Sequence, residues 1–448
     1  MFPSEIFKAY DIRGTYPDQI NKDFAYNLGR AAAQFYRVTK AIVGADNRLS
    51  SPELKAAVIS GLVDSGVEVI DIGLASTPLF NFSVIYDDYV ELGIMVTASH
   101  NPKEWNGFKF LDREGMPVGL DFGLAQIRDL MLANDFAVVD DKGQVEAKDY
   151  KQEYLGKIFS LVDVMSIKPL KVVVDTANAM GALLIDQVFE KLPVRVEYLN
   201  KELDGNYPNH EANPLKSETL LALQARVLEA EADLGVAFDG DADRIGFVDD
   251  QGRPIAGDIT AAILAPEILR QHPREKVIYD LRSSWAVSEQ IQLAGGLPIR
   301  YRVGRTLIIK KMVEERAAFA GELSGHFYYR DFFNIESADL TLLYLLELLS
   351  KKGVKLSGIV GDVDKYFRSG EINFEVKDKD AVLKSLKEKY SANAKDVSEL
   401  DGIRIEFDDW WFNVRPSNTE PVIRLNLEAK SVEVMKEKTK EIENLIKS

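Results

Sequence analysis

The sequence predicts an α/β protein of several domains, ending in a small α+β domain. Three observations carry that prediction. A unit of short apolar strand, polar turn, amphipathic helix and second strand recurs three times; the pattern changes after about residue 364; and 448 residues with 46% hydrophobic content exceed one ordinary domain and supply several cores. Three or four domains are expected.

The first copy runs from Ala41-Ile42-Val43-Gly44 through Asp46 to Val67-Glu68-Val69-Ile70. Ser51 and Pro52 start its helix, Leu54, Val58 and Leu62 share one face, and Gly66 follows the helix end. The second copy joins Val172-Val173-Val174 and Asp175 to Val194-Arg195-Val196, and the third joins Val277-Ile278-Tyr279 and Asp280 to Pro298-Ile299-Arg300-Tyr301. Units of this length imply largely parallel, helix-covered sheets. Residue identity between the copies is low, so a true repeat and the general repetitiveness of α/β chains both stay open. After residue 364 come a strand over Glu371–Val376, a lysine-rich helix, strands around Ile403–Phe407 and Val422–Asn426, and an amphipathic helix from near Val432.

Composition excludes several classes. No run approaches the ~18 apolar residues of a membrane span; the longest candidate, Leu340 to Leu349, is interrupted by Thr341 and Glu347. No basic-then-apolar segment opens the chain, so no secretory signal is read and the cytoplasm is the expected location. The absence of cysteine rules out disulfides and thiolate metal sites, and four histidines leave little for a histidine metal cluster. A net charge of -16 argues against nucleic acid or an anionic membrane surface as partner. An anionic small molecule would then need locally converging cations, for which Arg13, Lys109, Arg282, Arg305, Arg415 and Arg424 are candidates.

Two segments carry the chemistry. Ser99, in Thr97-Ala98-Ser99-His100-Asn101-Pro102, follows the apolar, strand-like run Leu92–Thr97, and Asn101-Pro102 breaks the strand. Ser99 is therefore expected on a turn past a strand's carboxyl end, where active sites of parallel sheets gather. Asp239, Asp241 and Asp243 alternate after Leu234–Phe238 and form an all-oxygen set suited to a hard divalent cation. Taken alone, Ser99 reads first as a turn serine, and the aspartate loop as a solvated turn or a calcium loop. The calcium-loop match fails at Arg244, where glycine is needed, and strand-like flanks favour a hairpin. A nucleophile paired with a metal loop points to phosphoryl transfer.

Two further segments are weaker alone. In Gly321-Glu322-Leu323-Ser324-Gly325-His326, Glu322 and Ser324 alternate as residues on one strand face would, aiming a carboxylate and a hydroxyl at sugar hydroxyls. His326 reads as a hydrogen-bonded packing residue. Arg415-Pro416-Ser417-Asn418-Thr419-Glu420-Pro421 is a proline-bounded loop of hydroxyl and amide groups behind an arginine, equally a phosphate cradle or a plain turn.

Over essentially its full length the chain resembles the α-D-phosphohexomutase superfamily, most closely its phosphomannomutase/phosphoglucomutase branch. The ordered motifs are Lys8–Gly14, Gly44–Ser51, the Ser99 segment, Asn106–Lys109, the aspartate loop, the Glu322 segment and the Arg415 loop. The resemblance implies four domains around a central cleft, three related α/β domains and a distinct C-terminal one. On this chain these are residues 1–145 with the phosphoserine loop, 146–252 with the metal loop, 253–363 with the sugar-recognition loop and 364–448 with the phosphate-binding loop. The C-terminal domain is the expected moving wall of the cleft.

By resemblance, Ser99 matches the phosphorylated serine, and Asp239, Asp241 and Asp243 match the Mg2+ ligands, the serine phosphate being the fourth. Arg13, Lys109 and Arg244 match residues beside the reacting phosphate. Arg415, Ser417, Asn418, Thr419 and Arg424 fall to the non-reacting phosphate, Glu322, Ser324 and His326 to the sugar, and Tyr10 and Arg282 to further ligand contacts. Many relatives carry a histidine after Val303-Gly304; here Arg305 stands there, able to bind phosphate but a poor general base. The implied reaction moves phosphate between carbon 1 and carbon 6 of mannose or glucose phosphate through a hexose 1,6-bisphosphate, in a monomer or weak homo-oligomer. The alternatives are a phosphoglucosamine mutase and a phosphosugar-binding protein without turnover.

Overall fold

The computed structural model describes residues 2–416 and 422–447. Its first three sheets share one module. In each, three parallel strands lie in the spatial order second, first, third, and an antiparallel fourth strand lies beyond the third. The strands are Lys40–Ala45, Glu68–Leu74, Leu92–Val96 and Trp105–Asp112 in the first module. In the second they are Lys171–Asp175, Arg195–Leu199, Leu234–Phe238 and Ile245–Asp249. In the third they are Lys276–Asp280, Leu297–Tyr301, Phe319–Gly321 and Phe327–Tyr329. Short edge strands are added, and one of them, Val145–Ala147, pairs with Glu68–Leu74, so the first sheet extends past residue 145.

The three modules also share a backbone device that low residue identity concealed. Asp46, Asp175 and Asp280 each close the first strand, and each accepts a hydrogen bond from the backbone N–H two residues on, in Arg48 (3.1 Å), Ala177 (2.9 Å) and Arg282 (2.8 Å). This Asx turn needs only one short carboxylate, so the rest of the loop is free to diverge. The helix after the first of these turns, Ser51–Val63, has Pro52 in its first turn and buries Leu54, Val58 and Leu62.

A helix over Ala338–Lys352 has every residue from Ala338 to Ser350 buried. A helix buried on every face belongs in a core, and this one joins Phe80, Phe82, Val172, Phe238, Val277 and Phe319 in one hydrophobic cluster spanning the three modules. The C-terminal domain has a core of its own, with Phe374, Leu386, Ile405, Phe412, Leu425 and Ile442 packed between an antiparallel sheet and the helices Lys379–Tyr390 and Val432–Lys447. Its contacts with the third module include polar ones: Arg404 donates to the Leu281 carbonyl, Arg368 pairs with Asp258, and Glu428 accepts from the Trp285 backbone. Among the described residues, no helix is long and apolar enough to cross a membrane.

Candidate active site

The shared module explains how distant segments meet. The loop between its third and fourth strands carries Ser99 in the first module, Asp239 to Arg244 in the second and Glu322 to His326 in the third. Three equivalent hairpin loops supply Ser99, the acidic cluster and a polar loop.

Ser99 lies past the end of Leu92–Val96, as its sequence predicts, in the left-handed region at φ 51°. Such a conformation persists only where the surroundings enforce it. Here the buried Arg48 guanidinium does so, donating to the carbonyls of Ser99 (2.7 Å), Asn101 (2.6 Å), Pro102 (2.7 Å) and Trp105 (3.0 Å) while Asp46 holds its Nε at 3.2 Å. Ser99 Oγ donates to Asp239 Oδ2 at 2.9 Å and stands 3.1 Å from His100 Nδ1. Burial and the cations Arg244 and Arg13 push the His100 ring well below its usual range, so it is neutral. Arg13 donates to Asn101 Oδ1 at 2.5 Å and to Asp11 at 2.8 Å, which brings its guanidinium to the serine loop.

Asp239, Asp241 and Asp243 are all buried, with ligand atoms within 4.8 Å of one another. Lys109 Nζ donates to Asp241 Oδ2 and Asp243 Oδ2, both at 2.6 Å. Burial opposes the charge of Lys109, but the two carboxylates outweigh it and keep the ammonium protonated. Asp241 Oδ1 is buried without a hydrogen-bond partner among the described residues. Burial and its two acidic neighbours raise the Asp239 carboxyl above the usual carboxylate range. Three buried carboxylates, with Asp243 Oδ1 orphaned like Asp241 Oδ1, and one ammonium fit a divalent cation, so the acidic triad can bind a metal. Gly240 lets the loops meet: a Cβ there would lie 2.2 Å from the Ser99 carbonyl oxygen.

Glu322 and Ser324 lie in the hairpin loop rather than on a strand, because the strand ends at Gly321 and Gly325 turns the chain at φ 83°. They still converge, on His326 Nδ1, at 3.2 Å from Glu322 Oε2 and 2.9 Å from Ser324 Oγ. His326 is more than the packing residue its sequence suggests. Its Nε2 lies 3.3 Å from Asp243 Oδ1 and 3.2 Å from Arg244 Nε, joining the Glu322 loop to the acidic loop. Burial disfavours the imidazolium, yet Asp243 and Glu322 raise the ring to about 9 against the repulsion of Arg244. In that state the ring pairs with Asp243 as an ion pair, and Asp239, 3.7 Å from Arg244 Nε, balances the arginine. Burial likewise opposes the Glu322 charge, but His326, Tyr328 and Arg282 hold it down at about 2.

Tyr10 crosses from the first module to donate to the Val303 carbonyl at 3.3 Å, over Gly304, where a Cβ would meet the Tyr10 ring at 2.7 Å. Arg305 is oriented by Glu336, whose Oε1 accepts from Arg305 Nε at 2.5 Å and from Asn81 at 3.1 Å. Arg305 Nη2 is left without a hydrogen-bond partner among the described residues. Arg282, clamped by Asp280 at 2.8 Å, and Arg415 and Arg424 on neighbouring strands gather around Glu371. Ser417, Asn418 and Thr419 lie outside the described residues. Sequence reasoning missed His100, Glu336, Glu371 and the anchoring role of Arg48. Only His100, adjacent to Ser99, carried a local signal.

Comparison with known proteins identifies a phosphohexose mutase, an isomerase-type phosphotransferase. Models of phosphoglucomutase/phosphomannomutase match in order: alpha/beta/alpha domain I over residues 4–138, domain II over 152–252, domain III over 256–366 and the C-terminal domain over 371–445. Phosphohexose mutases of Xanthomonas campestris pv. campestris (strain B100) are 39% identical over 445 residues, covering 98% of this chain and 99% of that protein. A phosphomannomutase of Methanocaldococcus jannaschii is 39% identical over 447 residues, covering 98% and 97%. A crystal structure of a phosphoglucomutase/phosphomannomutase family protein from Burkholderia thailandensis superposes with TM-score 0.93 at 31% identity, covering 100% and 98%. The chain belongs to the phosphoglucomutase/phosphomannomutase family of the α-D-phosphohexomutase superfamily.

Proposed function

We propose that the protein moves phosphate reversibly between carbon 1 and carbon 6 of mannose or glucose phosphate, through a phosphorylated Ser99 and a hexose 1,6-bisphosphate. The observation that carries this reading is the meeting of Ser99 Oγ with Asp239 Oδ2 at 2.9 Å, inside a buried acidic triad neutralised by Lys109. Mg2+ held by Asp239, Asp241 and Asp243, with the serine phosphate as a further ligand, would offset negative charge on the transferring phosphoryl group. Arg13, Lys109 and Arg244 surround that group with positive charge. As the sugar hydroxyl bonds to phosphorus and the Oγ–P bond breaks, the hydroxyl proton ends on Ser99 Oγ. Neutral His100, 3.1 Å from Oγ, is the adjacent group able to donate or accept it.

The bisphosphate turns around, so one site grips whichever phosphate is not reacting. Arg282, Arg415 and Arg424 supply its charge, with Ser417, Asn418 and Thr419 completing the loop. Glu322, Ser324 and His326 read sugar hydroxyls, Tyr10 shapes the cleft, and Arg305, held by Glu336, binds phosphate. The division at residues 145, 252 and 363, a C-terminal domain that closes on the ligand, and action as a monomer or weak homo-oligomer in the cytoplasm belong to the same reading. Phosphoserine at position 99, found by mass spectrometry and discharged by mannose 1-phosphate or glucose 1-phosphate, is the expected result. An enzyme that turns over without ever modifying Ser99 would overturn it.

A further inference from the structure

Arg415 and Arg424 face each other across the strands Trp410–Pro416 and Val422–Ala429 as direct Cα partners. Like charges directly opposite in an antiparallel ladder repel, and Arg282 from the third module adds a third. The carboxylate of Glu371 divides itself among them, 3.3 Å from Arg424 Nη1, 3.7 Å from Arg282 Nη1 and 3.8 Å from Arg415 Nη2, with Asn426 Nδ2 donating at 3.5 Å. These contacts are long beside the 2.8 Å clamp of Arg282 on Asp280, so Glu371 is a shared and loosely held counter-ion. Gly370, at φ 71°, precedes it. Glu371 also lines a cavity of about 440 Å³ between the second and third modules and the C-terminal domain, with Arg282, Ser324 and Asn426 on the same wall. A released carboxylate has space to enter.

We propose that Glu371 is a resident stand-in for phosphate: it neutralises Arg282, Arg415 and Arg424 in the ligand-free protein and is displaced when the phosphate of a sugar phosphate takes the three guanidinium groups. The assignment of the arginines to the non-reacting phosphate rests on the function proposed above. The stand-in bridges the junction, since Arg282 belongs to the third module and the other two arginines to the C-terminal domain. It adds negative charge beside the three guanidinium groups while no ligand is bound, and every phosphate that binds must compete with it.

The test is calorimetric titration of the full chain and of Glu371→Gln with inorganic phosphate and, separately, glucose 6-phosphate. If the carboxylate occupies the arginines about nine-tenths of the time, its removal tightens apparent binding about tenfold. The gain is expected for both ligands, because both carry phosphate, and is expected to vanish when Arg415→Ala is added. Glu371→Asp, with a shorter reach, is expected to fall between. The ligand-free melting temperature of Glu371→Gln is expected to drop and to recover with phosphate. Unchanged or weaker phosphate binding by a folded Glu371→Gln would overturn the proposal. Failure of the mutase reading is separable: it would appear as no isomerisation by the unaltered protein, whatever Glu371→Gln does to phosphate affinity.

Discussion

Replacing Gly240 by alanine tests how the serine and acidic loops are held together. The added Cβ would lie 2.2 Å from the Ser99 carbonyl oxygen and 3.1 Å from its carbon, whereas real Cβ atoms essentially never come within 3.0 Å of another heavy atom. Both partners are backbone, and the Ser99 carbonyl is pinned from its other side by Arg48 at 2.7 Å, so no flexible side chain can yield. The loops must separate by most of an ångström. Overpacking of this kind costs about 1–3 kcal/mol of stability, and a displacement near 1 Å at the reacting atoms costs about 10²-fold in rate. Gly240→Ala is therefore expected to lose about a hundredfold in kcat for glucose 1-phosphate isomerisation while retaining phosphate binding at the arginines. Gly156→Ala, where a Cβ on the helix Lys151–Ser160 meets nothing within 4 Å, is the control, expected to keep full activity and gain about 0.5–1 kcal/mol. A Gly240→Ala enzyme within about twofold of normal turnover would refute the close-approach argument.

Lys109→Met leaves Asp241 and Asp243 buried without their ammonium; a loss of about 3–5 kcal/mol in denaturant unfolding without metal is expected, with partial recovery in Mg2+, and equal loss with and without the cation would contradict the shared-charge account. Arg305→Lys forfeits the fork that Glu336 orients, so a rise in KM of about tenfold is expected in steady-state kinetics; full turnover and affinity would leave no specific guanidinium role. The pH dependence of the metal-free protein follows from two raised groups. The Asp239 carboxyl is raised by burial and its acidic neighbours, and the His326 ring is raised to about 9 by Asp243 and Glu322 against burial. Above the ordinary histidine range of about 6.5, where the depressed His100 no longer offsets them, these groups make the folded state bind more protons than the unfolded chain up to about pH 9, so stability falls as pH rises through that window, by about 3 kcal/mol from His326 alone. Melting curves in chelator should show this decline, and the stabilisation by Mg2+ should grow with pH as the cation replaces the Asp239 proton; a gain independent of pH would count against the assignment.

The strands, the first module's helix and the hairpin around the aspartates were legible because apolar runs, Asx residues and proline act locally. The unit recurring three times was legible as well, down to the aspartate after each first strand, but low residue identity left open whether it was a true repeat, because the hairpin beyond each third strand could not be read for all three. Ser99 and Asp239 are 140 residues apart, and only the common module brings their loops together. Glu322 and Ser324 were read as strand neighbours because alternation looks the same in a short loop; the turn at Gly325 decides otherwise. Arg48, Glu336 and Glu371 act on partners from distant segments, so nothing in their own neighbourhoods singles them out.

Phosphorus NMR of the purified protein with Mg2+, a trace of glucose 1,6-bisphosphate and, in separate tubes, mannose 1-phosphate, glucose 1-phosphate and glucosamine 1-phosphate tests the central claim most directly. Conversion of the mannose and glucose compounds to their 6-phosphates is predicted. Turnover of the glucosamine compound alone would move the protein to the phosphoglucosamine branch, and no turnover of any of the three by a protein phosphorylated on Ser99 would contradict the account.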